Sequence, residues 1–201
     1  MENDVSERSP GPSKIVRGGF VLLLIALLLY AIALPSPFWI HGSDEKNITT
    51  GIEFTKTIEF TFANRKEFSS LGIWFYCTSD HQTSCTNFLG YNMNGLNGVL
   101  LRVLQGVSGT VLLLLIIAVV TLGIKMCQRK DKNVALVISM ITNAVAAFLL
   151  LITIAGIAGG MYVIQTIVPD GRLHFSFFLA VAAEILCIVV EVLMCIQRCS
   201  A

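Results

Sequence analysis

Four long apolar stretches alternate with polar segments along this chain of 201 residues. Each stretch reaches the length of about 20 apolar residues that a helix needs to cross the hydrocarbon core of a bilayer. The stretches cover residues 18–38, 99–124, 134–168 and 175–196. This pattern predicts a membrane α-helical protein with four transmembrane helices.

The polar segment between the first two apolar stretches, residues 40–98, has a different pattern. Apolar and polar side chains alternate from residue 52 to residue 62, with Lys56 as the exception, and this period of two is typical of a half-buried strand. Residues 63–66 are predicted to form a turn, and residues 71–77 a second strand. The segment is therefore expected to form a small antiparallel β-sheet on one end of the helices.

The composition supports a bilayer environment, because 55% of the residues are hydrophobic and only 13% are charged. Soluble domains have roughly 45 to 50% apolar and about 25% charged residues. The net charge of +1 and the lack of a basic domain argue against a nucleic-acid partner. The expected surroundings are membrane lipid.

Lysine and arginine residues predict the orientation, because they are enriched in short cytosolic flanks. They precede the first stretch, occupy the link at residues 125–133 and follow the fourth stretch: Lys14, Arg17, Lys125, Arg129, Lys130, Lys132 and Arg198. A multi-pass plasma-membrane protein with both termini in the cytosol is predicted. Residues 1–17 would be a disordered cytosolic tail, residues 197–201 a short one, and residues 40–98 and 169–174 would be extracellular.

The start of the chain also has features of a cleavable signal peptide. Lys14 and Arg17 precede an apolar core that ends in Ala31-Ile32-Ala33, which is similar to a cleavage site. The apolar run nevertheless continues beyond this site to Trp39, which gives it the length of a span. Retention of the segment is therefore the favoured interpretation.

Two of the six cysteines, Cys77 and Cys85, lie in the predicted extracellular segment. Because that compartment is oxidising and a small sheet has little core, they are predicted to form a disulfide. A metal site is disfavoured, since only His81 lies between them and no second ligand pair completes four ligands.

The other cysteines belong to the apolar stretches and their flanks. Cys127, Cys195 and Cys199 lie beside basic residues at predicted cytosolic helix ends, where either reversible palmitoylation or free thiols are expected. Cys187 lies inside the fourth stretch and is interpreted as a packing residue.

The sequence Asn47-Ile48-Thr49 is an acceptor for N-glycosylation on the predicted extracellular side. Its closeness to the membrane disfavours modification, so the occupancy of Asn47 is left open.

Polar side chains also lie within the apolar stretches. Glu184 and Glu191 are seven residues apart and share a helix face that is expected to point into the bundle. Counting depth along each stretch places Glu184 near Tyr30 and Asn143. Glu184 is predicted to be protonated or hydrogen-bonded, in a structural clasp with groups such as these. The alternative is a proton or ion path through the two carboxyl groups.

A small-residue pattern in the third stretch, Gly156 and Gly160 with Gly159 between them, predicts close approach of another helix. Packing inside the bundle is favoured over a dimer face.

No catalytic pattern is evident. The three histidines, His41, His81 and His174, are not accompanied by a nucleophile motif, and no phosphate-binding, dinucleotide-binding or zinc-protease motif occurs. A protein without catalytic, cofactor-binding or metal-binding residues is expected.

One set of residues resembles the signature of the claudin, peripheral-myelin-protein and calcium-channel gamma-subunit superfamily. The set comprises Trp39, the tract Gly72-Ile73-Trp74, then Cys77 and Cys85, and finally Arg102 near the outer end of the second stretch. The resemblance implies a claudin-like fold, a left-handed bundle of four transmembrane helices with a small extracellular antiparallel β-sheet. It also implies that Arg102 braces the sheet.

Within the superfamily, the run from Gly72 to Cys85 is most similar to the gamma-like branch of voltage-dependent calcium-channel subunits. That similarity implies an auxiliary subunit whose partner is a larger membrane protein, such as a calcium-channel pore subunit. The alternative is an adhesion or barrier protein of cell junctions that associates with itself. The final residues, Gln-Arg-Cys-Ser-Ala, are not a ligand for PDZ domains, which disfavours scaffold-anchored junction strands.

Overall fold

Four helices account for most of the computed structural model, which describes residues 14–41, 68–80, 82–87, 96–127, 134–167 and 172–199. The helices are α1 (Lys14–Ala33), α2 (Leu96–Cys127), α3 (Val134–Ile167) and α4 (Phe175–Cys199). Each is long and apolar enough to cross a membrane, as the hydrophobic pattern predicts. The described part of the chain is consistent with a four-helix membrane bundle.

The first helix begins and ends earlier than predicted. It begins at Lys14, inside the predicted tail of residues 1–17, and ends at Ala33 rather than at residue 38. Leu34 N donates the last helical hydrogen bond, to Tyr30 O at 2.9 Å. Pro35 ends the helix because it has no N–H to donate and it disfavours helical backbone in the residue before it. Residues 1–13 lie outside the described residues.

The third helix is the longest, with 34 residues that match the predicted stretch within one residue. At 1.5 Å per residue its length is about 51 Å, compared with about 30 Å for the hydrocarbon core. Helices α2 and α4 each extend three residues beyond the predicted cytosolic boundary, to Cys127 and Cys199. Lys125 and Arg198 lie in these last turns, where a positive charge is favourable beside the helix carbonyl groups.

A five-stranded antiparallel sheet lies at the end of the bundle where α1 ends and α2 begins. The strands are β1 (Ile40–His41), β2 (Phe68–Leu71), β3 (Phe75–Asp80), β4 (Gln82–Asn87) and β5 (Arg172–Leu173). Their order is β4-β3-β2-β1-β5. Strand β1 therefore lies between β2 and β5, and β5 comes from the link between α3 and α4.

The predicted strand at residues 71–77 is not continuous. Leu71 ends β2 and Phe75 begins β3, with a turn over Gly72, Ile73 and Trp74. The segment is apolar and rich in aromatic residues, which are common in strands, but the tract reverses direction, and β2 pairs with β3. The predicted strand at residues 52–62 and the turn at residues 63–66 lie outside the described residues.

The bundle core consists of apolar side chains at helical spacing. Fully buried examples are Leu23, Ala26 and Tyr30 in α1, Leu115 and Ala118 in α2, Leu150 in α3, and Cys187 and Val190 in α4. Helix α1 packs against α2 and α4, and α3 packs against the same two helices. Large apolar side chains also cover the outside of the bundle, which is typical of helices surrounded by lipid.

Candidate functional site

The tract Gly72-Ile73-Trp74 lies directly against the segment that follows α1. Gly72 N donates to Phe75 O at 2.7 Å, and this hydrogen bond closes the turn between β2 and β3. A Cβ added to Gly72 would lie 2.5 Å from Ser36 O and 2.8 Å from Pro37 Cα, which are both backbone atoms. The two backbones are therefore so close that only glycine fits between them.

Helix α2 reaches the same turn through Gln105. Its Nε2 atom donates to Ile73 O at 3.0 Å, and Gln105 and Ile73 are both buried. A buried carbonyl that loses its donor is costly, so this contact fixes the turn on the helix. Arg102, which the resemblance assigns to this role, has an exposed side chain one turn earlier in α2.

A chain of hydrogen bonds continues from Gln105 to α1. Ser108 Oγ donates to Gln105 O at 2.9 Å, and Tyr30 OH donates to Ser108 O at 3.2 Å. All three side chains are buried. Tyr30 therefore connects α1 with α2 and is not shown to bond Glu184. Sequence reasoning missed Gln105 and Ser108, although polar side chains inside an apolar stretch were the signal that could have found them.

Trp39 connects the end of α1 with the start of α4. Its side chain is 1% exposed, and its Nε1 atom donates to Ala33 O, in the last residue of α1, at 2.8 Å. Trp39 O accepts a hydrogen bond from His174 N at 3.0 Å, and the neighbouring Phe38 O accepts one from Ser176 N at 3.1 Å. One turn thus satisfies a carbonyl at the end of α1 and an N–H group at the start of α4.

The predicted disulfide is confirmed. Cys77 and Cys85 lie opposite each other in the register of β3 and β4 and form a disulfide bond. Cys77 is buried beneath the sheet, whereas Cys85 is exposed. The disulfide therefore links the core side of the hairpin to its outermost described strand.

Polar side chains between α3 and α4 form a second candidate site. Asn143 Nδ2 donates to Glu191 Oε2 at 2.9 Å and to Cys187 O at 3.0 Å. Asn143 is fully buried and Glu191 half-buried. The sequence predicts that Asn143 lies level with Glu184. Its hydrogen bonds instead place it one to two helical turns further along α4, toward Glu191.

Glu184 is buried, as its helix face predicts, but its expected partners bond elsewhere. Its side chain is 7% exposed, and within the described residues its Oε2 atom has no hydrogen-bond partner. Asn143 Oδ1 is likewise buried without a partner there. Both atoms are acceptors buried without a donor among the described residues, and an unsatisfied polar group is costly inside a membrane bundle.

The remaining cysteines divide by exposure. Cys127, Cys195 and Cys199 are exposed near the ends of α2 and α4, whereas Cys187 is buried in the core. The exposed thiols share the end of the bundle opposite the sheet, which makes them accessible for acylation. Their modification remains a prediction.

The small residues of α3 differ in their surroundings. A Cβ added to Gly156 would lie 3.2 Å from Leu104 Cδ2 of α2, whereas a Cβ on Gly159 would meet no atom within 4 Å. Gly156 therefore contributes to packing inside the bundle. The surroundings of Gly160 and the glycosylation acceptor Asn47 lie outside what the structure describes.

Among the described residues, no group of three or more His, Cys, Asp or Glu side chains is arranged to hold a metal ion. No protein-family model matches this sequence, and no curated protein is significantly similar to it.

Proposed function

We propose that the protein is a non-enzymatic tetraspan protein of the plasma membrane that acts as an auxiliary subunit of a larger membrane protein. The observation that carries this proposal is the joint between the sheet and the helices. Gly72 lies against the segment after α1, Gln105 connects the turn to α2, and Trp39 connects α1 to the start of α4. A contact on the sheet is thereby coupled to the positions of three helices.

An auxiliary subunit of this kind acts by differential binding. It shifts the equilibrium of its partner only if it binds one state of that partner more tightly than another. The exposed apolar faces of the helices offer a surface for the transmembrane segments of such a partner. The resemblance of the Gly72–Cys85 run to gamma-like subunits makes a voltage-gated calcium-channel pore subunit the first partner to test.

The proposed topology places the sheet outside the cell and both chain ends in the cytosol. Lys14, Arg17, Lys125 and Arg198 lie toward the end of the bundle away from the sheet, which supports this orientation. The burial of Leu23, Ala26 and Tyr30 in the core supports retention of α1 rather than its cleavage as a signal peptide.

Epitope tags on intact cells test the topology. A tag inserted after residue 64 should bind antibody without permeabilisation, whereas tags at residue 1 and residue 201 should bind only after it. Antibody access to either terminal tag on intact cells would reverse the orientation and remove the support for an extracellular sheet.

Co-purification tests the proposed partner. The tagged chain is extracted in mild detergent from cells that express a calcium-channel pore subunit, and mass spectrometry identifies the proteins that remain bound. We expect the pore subunit to co-purify and its voltage of half-activation to shift when the chain is co-expressed. A pore subunit that neither co-purifies nor shifts contradicts the calcium-channel proposal.

An adhesion role is the second candidate, and it is supported by β4. Within the described residues β4 is an edge strand of the sheet, and an edge strand presents N–H and C=O groups that can pair with another chain. Two cell populations with different tags, mixed and cross-linked at their contacts, distinguish the roles. Recovery of both tags in one complex favours adhesion. Complexes that each contain only one of the two tags do not favour it.

A further inference from the structure

Glu184 is a buried acidic residue whose carboxyl group lacks a partner. Its side chain is 7% exposed, and its Oε2 atom has no hydrogen-bond donor among the described residues. The residue lies in α4, which is long and apolar enough to cross a membrane. An ionised carboxyl group can only accept hydrogen bonds, and a buried charge is costly unless it is paired. An ionised Glu184 would therefore need a neighbouring donor or cation.

The side-chain donor that α3 presents to this part of α4 is already engaged. The Asn143 amide nitrogen carries two N–H groups, and it donates to Cys187 O at 3.0 Å and to Glu191 Oε2 at 2.9 Å. Asn143 Oδ1 is a further buried acceptor without a partner among the described residues. This part of the interface between α3 and α4 thus has more buried acceptors than donors.

Basic side chains of the neighbouring helices are too distant to pair with Glu184. Helices α1 and α3 pack against α4, and α3 contains no acidic or basic residue. The hydroxyl oxygens of Ser36 and Ser176 are 2.7 Å apart, so the end of α1 lies beside the start of α4. At 1.5 Å per residue, Glu184 lies about 12 Å along α4 from Ser176, whereas Arg17 lies about 24 Å along α1 from Ala33. Arg17 is the basic residue of α1 nearest to Glu184, and it is out of reach.

The other titratable side chains around Glu184 supply no positive charge either. Tyr30 of α1 donates its hydroxyl hydrogen to a backbone carbonyl of α2. On α4 itself, the Cys187 thiol lies within electrostatic range of both Glu184 and Glu191. Arg198, the basic residue of α4 in its last turn, is about 21 Å along the helix from Glu184. Since like charges repel, an ionised Glu191 opposes a second negative charge at Glu184.

We propose that Glu184 is a proton-binding site in the interior of the bundle. Its carboxyl group holds one proton at neutral pH in the folded protein and is therefore neutral. A neutral acid needs no counter-charge, whereas a charged one is costly inside a membrane. Glu191 lies two turns away on the same face of α4, but it is half-buried and receives the Asn143 hydrogen bond, so it tolerates a negative charge. The site rests on the membrane placement of the helices and is independent of the proposed auxiliary role.

Infrared spectroscopy of the purified full chain in lipid nanodiscs tests the site, because a carboxylic acid and a carboxylate absorb at different frequencies. Spectra at neutral pH are compared for the parent chain, Glu184→Gln and the matched control Glu191→Gln, which makes the same chemical change on the same helix face. We expect an acid carbonyl band in the parent chain and in Glu191→Gln, and the loss of this band in Glu184→Gln. Thermal unfolding confirms that each variant is folded.

Labelling with an apolar carbodiimide provides a second measurement that needs only the parent chain. The acid O–H adds across one C=N bond of the reagent, so that the proton goes to a nitrogen and the carboxyl oxygen bonds to the central carbon. Transfer of the acyl group to nitrogen then gives a stable N-acylurea with no leaving group. At neutral pH, fragmentation of the labelled chain in a mass spectrometer should locate the adduct on Glu184 and leave Glu191 unmodified.

Three results would overturn the proposal. The first is an acid carbonyl band of equal strength in the parent chain and in folded Glu184→Gln. The second is an adduct on Glu191 with none on Glu184. The third is a loss of labelling when sodium chloride replaces choline chloride at the same concentration, because a sodium ion would then occupy the carboxylate in place of the proton.

Discussion

The joint between the sheet and the helices and the polar interface between α3 and α4 are both buried, but different atoms hold them together. At the joint, the closest contact is between backbone atoms of Gly72 and of the segment after α1, and the Gln105 side chain donates to the backbone of Ile73. Between α3 and α4, the Asn143 side chain makes both hydrogen bonds, one to the Glu191 side chain and one to Cys187 O. Backbone contacts leave little freedom for substitution, whereas side chains can adjust.

This difference ranks the substitutions by their expected effect. At the joint, filling the space beside Gly72 must move two chain segments against each other, whereas at the helix interface a substitution removes side-chain hydrogen bonds without moving the backbone.

The largest effect is expected for Gly72→Ala. The new Cβ would lie 2.5 Å from Ser36 O, a backbone atom that cannot rotate away. We expect a destabilisation of about 3 kcal/mol, at the upper end for overpacking, measured by thermal unfolding in detergent. Gly159→Ala is the matched control, because its Cβ would meet no atom within 4 Å. Equal stability of the two variants would contradict the close approach at Gly72.

The disulfide contributes a similar or slightly smaller amount. Replacing both cysteines, Cys77→Ala with Cys85→Ala, should cost about 2 to 3 kcal/mol on the chain-entropy model for a loop this short. Peptide mapping without reductant should find the two cysteines linked in the parent chain. A parent chain with both thiols free, or a double variant of unchanged stability, would contradict the prediction.

A smaller effect is expected for Gln105→Leu. This substitution leaves Ile73 O buried without its donor, at a cost of about 1 to 2 kcal/mol. Thr110→Ala is the control, since Thr110 is exposed and its hydroxyl donates within its own helix, to Gly106 O. Amide hydrogen exchange of β2 and β3 should rise in Gln105→Leu only. If exchange is unchanged, the contact does not fix the turn.

The smallest effects concern the interface between α3 and α4. Asn143→Leu removes both hydrogen bonds to α4 and should cost about 0.6 to 1.7 kcal/mol, the range for transmembrane hydrogen bonds.

Glu184→Leu removes an unsatisfied acceptor and should be at least as stable as the parent. The hydrogen bond predicted from the sequence implied the opposite, a loss of stability for Glu184→Leu. A greater loss of stability for Glu184→Leu than for Asn143→Leu would restore that first prediction.

The helices could be predicted from the sequence because their signal is local. Apolar runs of span length determined that four helices exist, and Val134–Ile167 was predicted within one residue. The end of α1 was wrong because the apolar run continues through Phe38 and Trp39, whereas the backbone follows Pro35 and turns at Leu34.

The contacts between elements could not be predicted in the same way. Depth counting placed Asn143 near Glu184, but the relative shift of two helices depends on how all their side chains pack, so Asn143 bonds Glu191 instead. Strands β1 and β5 have two residues each, too few for a periodic pattern. The contact of Gln105 could not be predicted, because it depends on where Ile73 O lies. The sequence of α2 alone does not give that position.

Strand pairing in the sheet has a consequence for biosynthesis. Strands β2, β3 and β4 lie within 20 residues of one another, and so they can pair as soon as that part of the chain leaves the ribosome. Ile40 pairs with Leu173, which is synthesised 133 residues later. The hairpin and its disulfide can therefore form early. Strand β1 gains its second neighbour, β5, only after α1, α2 and α3 have been synthesised. A chain arrested before residue 172 would carry a folded hairpin and an incomplete sheet, a state that quality control can distinguish from the finished protein.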